Sequence, residues 1–332
     1  MPLVDNCGIL IFMQEIIARA CMLVAIIVLG HVLRRIRFLP EEAFAVVSKT
    51  VLNVTLPCAV ITNFAHIQVT PALLWMFPLG FLVNALLVGT GYLTGKRRGM
   101  DEQVFCMLNF SGHNIGCFAL PYVASLLGPT AVVSVCLFDA GNAIWATGGT
   151  NALCAAMQEG GRIRLGAVAK RISRSVTTIT YLAMLLLATL NLRLPGPVLE
   201  FAGLVGSANS FLAMFMLGLG MNLKIRRAQL RWIGKAFVLR FGISALLAAA
   251  FYFLLPFEHE IRLGAALAVF APISSISAAY TGERGGDVGL ASSWNTITIL
   301  SSLVCMTVVL LLAAERENMA LLSGHPPRRL TE

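Results

Sequence analysis

Two apolar stretches of this chain carry polar residues in patterns that suit binding chemistry. Residues 109–116 read NFSGHNIG and residues 271–277 read APISSIS. The Asn114 carboxamide can donate to a carboxylate without the cost of a buried charge. The bland alternative is an interhelical hydrogen bond, a common use of Asn in apolar surroundings. His113 beside it can take a proton and pair with an anion or exchange protons, or sit as a neutral ring bonded to a neighbouring helix. Gly116 and Pro121 on one stretch, and Pro272, Ile273 and Ser274 on the other, complete a candidate binding set. Ser275 and Ser277 are alternatives, because the sequence does not fix where the backbone breaks. Asp139, with Asn142 a turn later, reads as a coupling site for a proton or cation, or as one half of an ion pair with Arg240. Arg240 alternatively reads as a carboxylate clamp, since its planar fork matches that geometry.

These residues sit in a chain that is too apolar to be soluble. Of 332 residues, 58% are hydrophobic and 12% charged, and the mean hydropathy is +0.81. A soluble domain needs about 25% charged residues to wet its surface. The elements that must position the polar groups are therefore transmembrane helices, each needing about 20 apolar residues. The composition excludes a disordered chain and a secreted disulfide scaffold. None of the eight cysteines forms a CxxC pair, so no metal site, cofactor or disulfide framework is expected. The net charge of +9 lies in short segments between apolar runs, which is topology information and no groove for nucleic acid.

Apolar runs between breaks predict ten spans, at about 16–33, 43–66, 71–94, 104–127, 131–153, 176–194, 198–219, 232–255, 261–280 and 288–313. The loops after odd-numbered spans hold 17 basic residues. The loops after even-numbered spans and the tail hold five: Arg193, Arg262, Arg316, Arg328 and Arg329. The positive-inside rule then places the odd loops, including the basic 158–175 linker between spans 5 and 6, in the cytoplasm and both termini outside. The expected location is the cell's inner (plasma) membrane. No Lys or Arg precedes Arg19, so the first apolar segment reads as a retained span, not a signal peptide.

This count divides into a first five-helix repeat (1–157), the linker (158–175), a second five-helix repeat (176–314) and a tail (315–332). Successive halves with five spans each have opposite orientation, the inverted-repeat plan of many secondary carriers. RFLP ending at Pro40 matches LRLP ending at Pro195. Tyr122 and Gly128 match Tyr280 and Gly286. Spans 4 and 9 occupy corresponding places, and both are interrupted by Pro or Gly. Broken backbone at membrane depth is tolerated where it lines a cavity or is buried in protein. A matched pair of broken helices is the best pointer from sequence to a carrier's binding site. Half-helices restarting after each break would aim free N–H groups at an anion.

The residues also resemble a known family. Residues 111–122, SGHNIGCFALPY, are similar to the SLPNTLVMGIPL stretch of plant auxin efflux carriers, with Ser111, Asn114 and Pro121 in register and His113 and Ala119 departing. LPCAV (56–60), LGLGMNL (217–223) and AP (271–272) add to the likeness. The chain resembles a short bacterial member of the auxin efflux carrier (AEC) family, of the malonate or malate type. The resemblance implies an all-α polytopic membrane fold of two inverted five-helix repeats, with helices 4 and 9 broken and crossing at mid-membrane. It further implies transport of a small organic anion by elevator-like alternating access, with Asn114 contacting the substrate. It is compatible with a homodimer and with H+ or Na+ coupling.

Other classes fare less well. A cation/proton antiporter of similar design needs paired acids near the crossing, and Asp139 stands as the one clear mid-membrane acid. An intramembrane enzyme needs a cluster of catalytic side chains, but His31, His66, His113, His259 and His325 are scattered. No GxxxxGK[ST] loop is present to bind ATP. The chain is not expected to be an enzyme.

Overall fold

The computed structural model describes residues 6–40, 42–65, 70–162, 165–190, 192–223 and 225–322. His66, Arg164, Lys224, His325, Arg328 and Arg329 lie outside the described residues. Among the described residues every regular element is a helix. In chain order these are α1 (Asn6–Arg35), α2 (Ala43–Phe64), α3 (Pro71–Arg98), α4 (Met100–Phe110), α5 (Ile115–Ala124), α6 (Pro129–Glu159), α7 (Leu165–Ile172), α8 (Val176–Thr189), α9 (Gly196–Gly220), α10 (Leu230–Leu254), α11 (His259–Ala268), α12 (Ser277–Glu283) and α13 (Val288–Leu322).

Seven of them, α1, α2, α3, α6, α9, α10 and α13, are long and apolar enough to cross a bilayer. The chain is thus a polytopic helical membrane protein. Of the other three expected spans, 104–127 divides into α4 and α5, and 261–280 divides into α11 and α12. The third, 176–194, is shorter than expected: α8 stops at Thr189, and the chain then runs to Pro195, whose ring disfavours helix at Leu194. Part of the 158–175 linker is itself helical, as α7. The last helix runs to Leu322, beyond the expected limit at 314.

Local chemistry explains where the helices start. Pro71, Pro129 and Pro197 lie in the first turn of α3, α6 and α9, where a missing N–H costs nothing. Thr70 adds a cap by accepting from Leu73 N at 3.4 Å. α2 and α6 each contain a π-bulge, at Val51–Thr55 and Trp145–Gly149, and α5 opens with one at Ile115–Ala119. Such bulges shift helical register and concentrate at functional sites.

The helices pack as two groups. In one, α1 lies along α9, and α2 packs against α8 and α9. In the other, α3 packs against α4 and α6, α11 against α6 and α10, and α12 against α4 and α13. The α3–α6 contact is a backbone-to-backbone approach: a Cβ at Gly80 would fall 2.0 Å from Phe138 O, and one at Gly141 2.0 Å from Phe77 O. Small residues that let helices touch in this way replace the hydrophobic driving force missing in lipid. The groups meet where α1 touches α13, where α6 touches α2 and α8, and where α5 touches α9.

Candidate functional site

The two interrupted spans meet at their breaks. After α4 the backbone becomes extended at Ser111 (φ −84°, ψ 167°) and turns through Gly112 at φ 73°, a conformation suited to glycine. After α11 it unwinds to Pro272, which has no N–H to continue a helix. His113 and Ile273 then pair as a short antiparallel bridge. Asn114 N donates to Pro272 O at 2.8 Å, and Ser274 N donates to Gly112 O at 2.9 Å. The expected residues His113, Asn114, Pro272, Ile273 and Ser274 are thereby brought together. Asn114 is 8% exposed, and its Nδ2 donates to Ser275 Oγ at 3.1 Å.

Side chains from neighbouring helices satisfy the freed backbone. Asn142 of α6 accepts from His113 N and donates to His113 O, each at 2.8 Å. From α13, Thr298 Oγ1 accepts from Ile273 N at 3.3 Å, and Asn295 Nδ2 donates to Ile273 O at 3.0 Å. Asn84 of α3 accepts from Gly112 N at 2.9 Å. Trp294 Nε1 donates to Asn109 O at 2.9 Å, and Ser244 Oγ of α10 donates to Val269 O at 2.7 Å. An unpaired backbone group buried here would cost about 1–3 kcal/mol, so these contacts hold the breaks open.

Two deeply buried charges, Arg240 and Asp139, stand near the crossing. Arg240 is 1% exposed and does not pair with Asp139. It donates through Nη1 to Phe110 O and through Nη2 to Ala271 O, the latter at 3.2 Å. One cation therefore caps the carbonyl ends of both α4 and the turn after α11, where the helix dipoles leave negative partial charge. Both Nη groups of Arg240 are thus engaged by backbone carbonyls.

Asp139 accepts from Asn142 Nδ2 at 2.7 Å and from Tyr181 OH of α8 at 2.7 Å. The Gly116 backbone lies close to the same carboxylate. A Cβ on Gly116 would meet Leu56 Cδ2 at 2.6 Å and Asp139 Oδ2 at 3.2 Å. The amino end of α5 therefore faces an anion of the protein's own.

The His113 ring packs edge-on to Phe138, with centroids 6.3 Å apart. Among the described residues neither ring nitrogen completes a hydrogen bond. The neighbouring Val269 carbonyl already accepts from Ser244. The Arg240 cation stands near the same ring.

A model of the family described as "Membrane transport protein" matches residues 16–310. The chain belongs to that family. A protein of Methanothermobacter thermautotrophicus described as an uncharacterized transporter is 28% identical over 295 residues, covering 86% of this chain and 95% of that protein. The resemblance to auxin efflux carriers is upheld at the level of the family.

Two features flank the crossing in this transporter. Pro121 does not join the backbone bridge. It lines a cavity of about 280 Å³ between α5 and the helices α2 and α9, with Thr62, Asn63, Asn209 and Ser210 on its walls. At the other end, where the basic linker lies, Arg171 of α7 stacks over Tyr280 at 5.3 Å and reaches Glu283 Oε2 at 3.4 Å. Asn151 donates to the same Glu283 oxygen at 2.8 Å and accepts from Arg284 Nε at 3.0 Å.

The sequence argument missed Asn84, Tyr181, Trp294, Asn295 and Thr298. Asn84 is a lone polar residue in an apolar helix, whereas Trp294, Asn295 and Thr298 lie in the run SSWNTIT (292–298) and Tyr181 follows Thr177, Thr178 and Thr180. For Asn84, Asn295 and Thr298 spacing is a further signal. Asp139 and Asn295, Asn142 and Thr298, and Asn84 and Arg240 are each separated by the same 156 residues.

Proposed function

We propose that this transporter carries a small organic anion, a mono- or dicarboxylate such as malonate or malate, by elevator-like alternating access. The observation that carries this reading is the antiparallel pairing of the two breaks at His113 and Ile273. Unwound backbone from two separate spans, buried and crossing, suits a solute site better than it suits a catalytic or structural role. The solute's carboxylate is read to engage Asn114 Nδ2 in place of Ser275, with the Ser274 and Ser275 hydroxyls completing the shell. A neutral amide and hydroxyls give specificity without a buried unpaired charge.

The wider architecture follows from the same reading. Counting the two broken spans and the short α8 gives ten crossings. The shared 156-residue spacing supports a duplicated five-span unit, because residues at matching places in α6 and α13 clamp the two breaks. The group of α1, α2, α8 and α9 is then the static scaffold, and the remaining helices form the moving body. The cavity beside Pro121 lies between them and is the natural approach for a solute. A proton or cation exchanger without an organic substrate is the second reading, favoured only by the buried Asp139.

The test is uptake into liposomes containing the purified protein. Malonate, malate, other dicarboxylates and aromatic acids are offered with and without a pH gradient. At least one acid is expected to enter faster than into protein-free vesicles, and Asn114→Ala should remove that uptake. No uptake of any acid, together with cation-driven proton flux, would replace this reading with the second.

A further inference from the structure

Asp139 is buried among hydrogen-bond donors, with no cation beside it among the described residues. Its carboxylate accepts from Asn142 Nδ2 and Tyr181 OH, each at 2.7 Å, and lies close to the Gly116 backbone. The titratable groups nearest it are Cys136 on its own helix, Cys117 on α5 and Tyr181 on α8. From α2 the neighbour at the same spot is Leu56. None of these carries a positive charge, and Arg240 is committed to Phe110 and Ala271.

We propose that Asp139 binds the proton that accompanies an anion into the crossing. The proposal rests on the anion-carrier reading above and adds the group that answers the anion's charge. Two geometric facts carry it. First, Asn142 joins Asp139 to the backbone of His113, and Gly116 is two residues from Asn114. An incoming carboxylate would therefore share the site with a second carboxylate in a poorly screened interior, where two neighbouring like charges disfavour each other. One proton on Asp139 removes the conflict.

Second, the bond from Tyr181 crosses the boundary between the helix groups, since α8 belongs to one and α6 to the other. Displacing one group against the other breaks that bond and strips the ionised carboxylate of a donor. The proton comes from the aqueous phase and settles on a carboxylate oxygen. No other covalent bond changes, and where the Tyr181 contact is kept its hydroxyl can turn from donor to acceptor.

The test uses purified full-length protein. Infrared difference spectra between acidic and neutral solution should contain a carboxylic C=O band that Asp139→Asn lacks. Tyr181→Phe keeps the ring and removes only the hydroxyl, so it should displace the band. This variant decides the matter if Asp139→Asn does not fold. Mixing with malonate in weakly buffered solution containing a pH dye should take up about one proton per malonate bound, and none in Asp139→Asn. Equal uptake by Asp139→Asn overturns the assignment, as does a band unmoved by either variant. If neither malonate nor any other acid binds, the anion reading fails, and the infrared titration still decides whether Asp139 exchanges a proton.

Discussion

The Asn142 carboxamide closes a two-point hydrogen bond with the backbone of His113, accepting from its N–H and donating to its C=O. A side chain thus does here what the next turn of helix does elsewhere. The pairing also fixes the amide's orientation and aims its Nδ2 at Asp139.

Asn142→Ala should therefore destabilise the fold more than a surface change. It leaves two buried backbone groups unpaired, at roughly 1–3 kcal/mol each. The thermal midpoint of the detergent-solubilised protein, followed by size exclusion after heating, should fall by several degrees. A midpoint equal to that of the unsubstituted protein would mean that the break is held by other contacts.

Arg240 makes a sharper case. A single guanidinium serves two carbonyls, at the end of α4 and in the turn after α11, and its loss leaves both unpaired at about 1–3 kcal/mol each. Arg240→Ala should yield little folded protein. Arg240→Lys should be intermediate, since an ammonium is a point charge without the planar fork. Equal yields of the alanine and lysine variants would remove geometry from the argument.

At the binding position, Asn114→Asp is nearly isosteric but replaces an amide donor with an acceptor that is negative when ionised. Uptake of the acid identified in the liposome screen should fall at least about tenfold, in line with a lost hydrogen bond to a charged group. Retained uptake would move the substrate away from Asn114.

Orientation can be checked without knowing the substrate. Gly160 ends α6 in a left-handed conformation, φ 62°, with open space around it. A cysteine there, in a background lacking the native thiols, should react with an impermeant maleimide from the cytoplasmic side only. Reaction from outside would invert the topology.

Much of this site was readable before any coordinates. Pro272, Gly112 and the serines beside them are poor helix formers in otherwise apolar runs, so the breaks announce themselves by composition. The partners of the breaks do not. Asn84 is a single residue whose importance depends on which way its helix is rotated, and a helix apolar all round carries no periodic signal of rotation. The expected Asp139–Arg240 pair failed for the same reason. Opposite charges at similar depth need not share a face, and the backbone carbonyls that attract Arg240 have no signature in side-chain chemistry.

The closing of backbone groups at the crossing has an electrical consequence. Asn84, Asn142, Asn295, Thr298, Ser244, Trp294 and Arg240 take up the dipoles that unwinding sets free. Those dipoles are then not available to string water into a conducting file. A vesicle bearing the resting protein should hold its ion gradients as tightly as a bare one, so that the break in the helices is no break in the membrane's insulation.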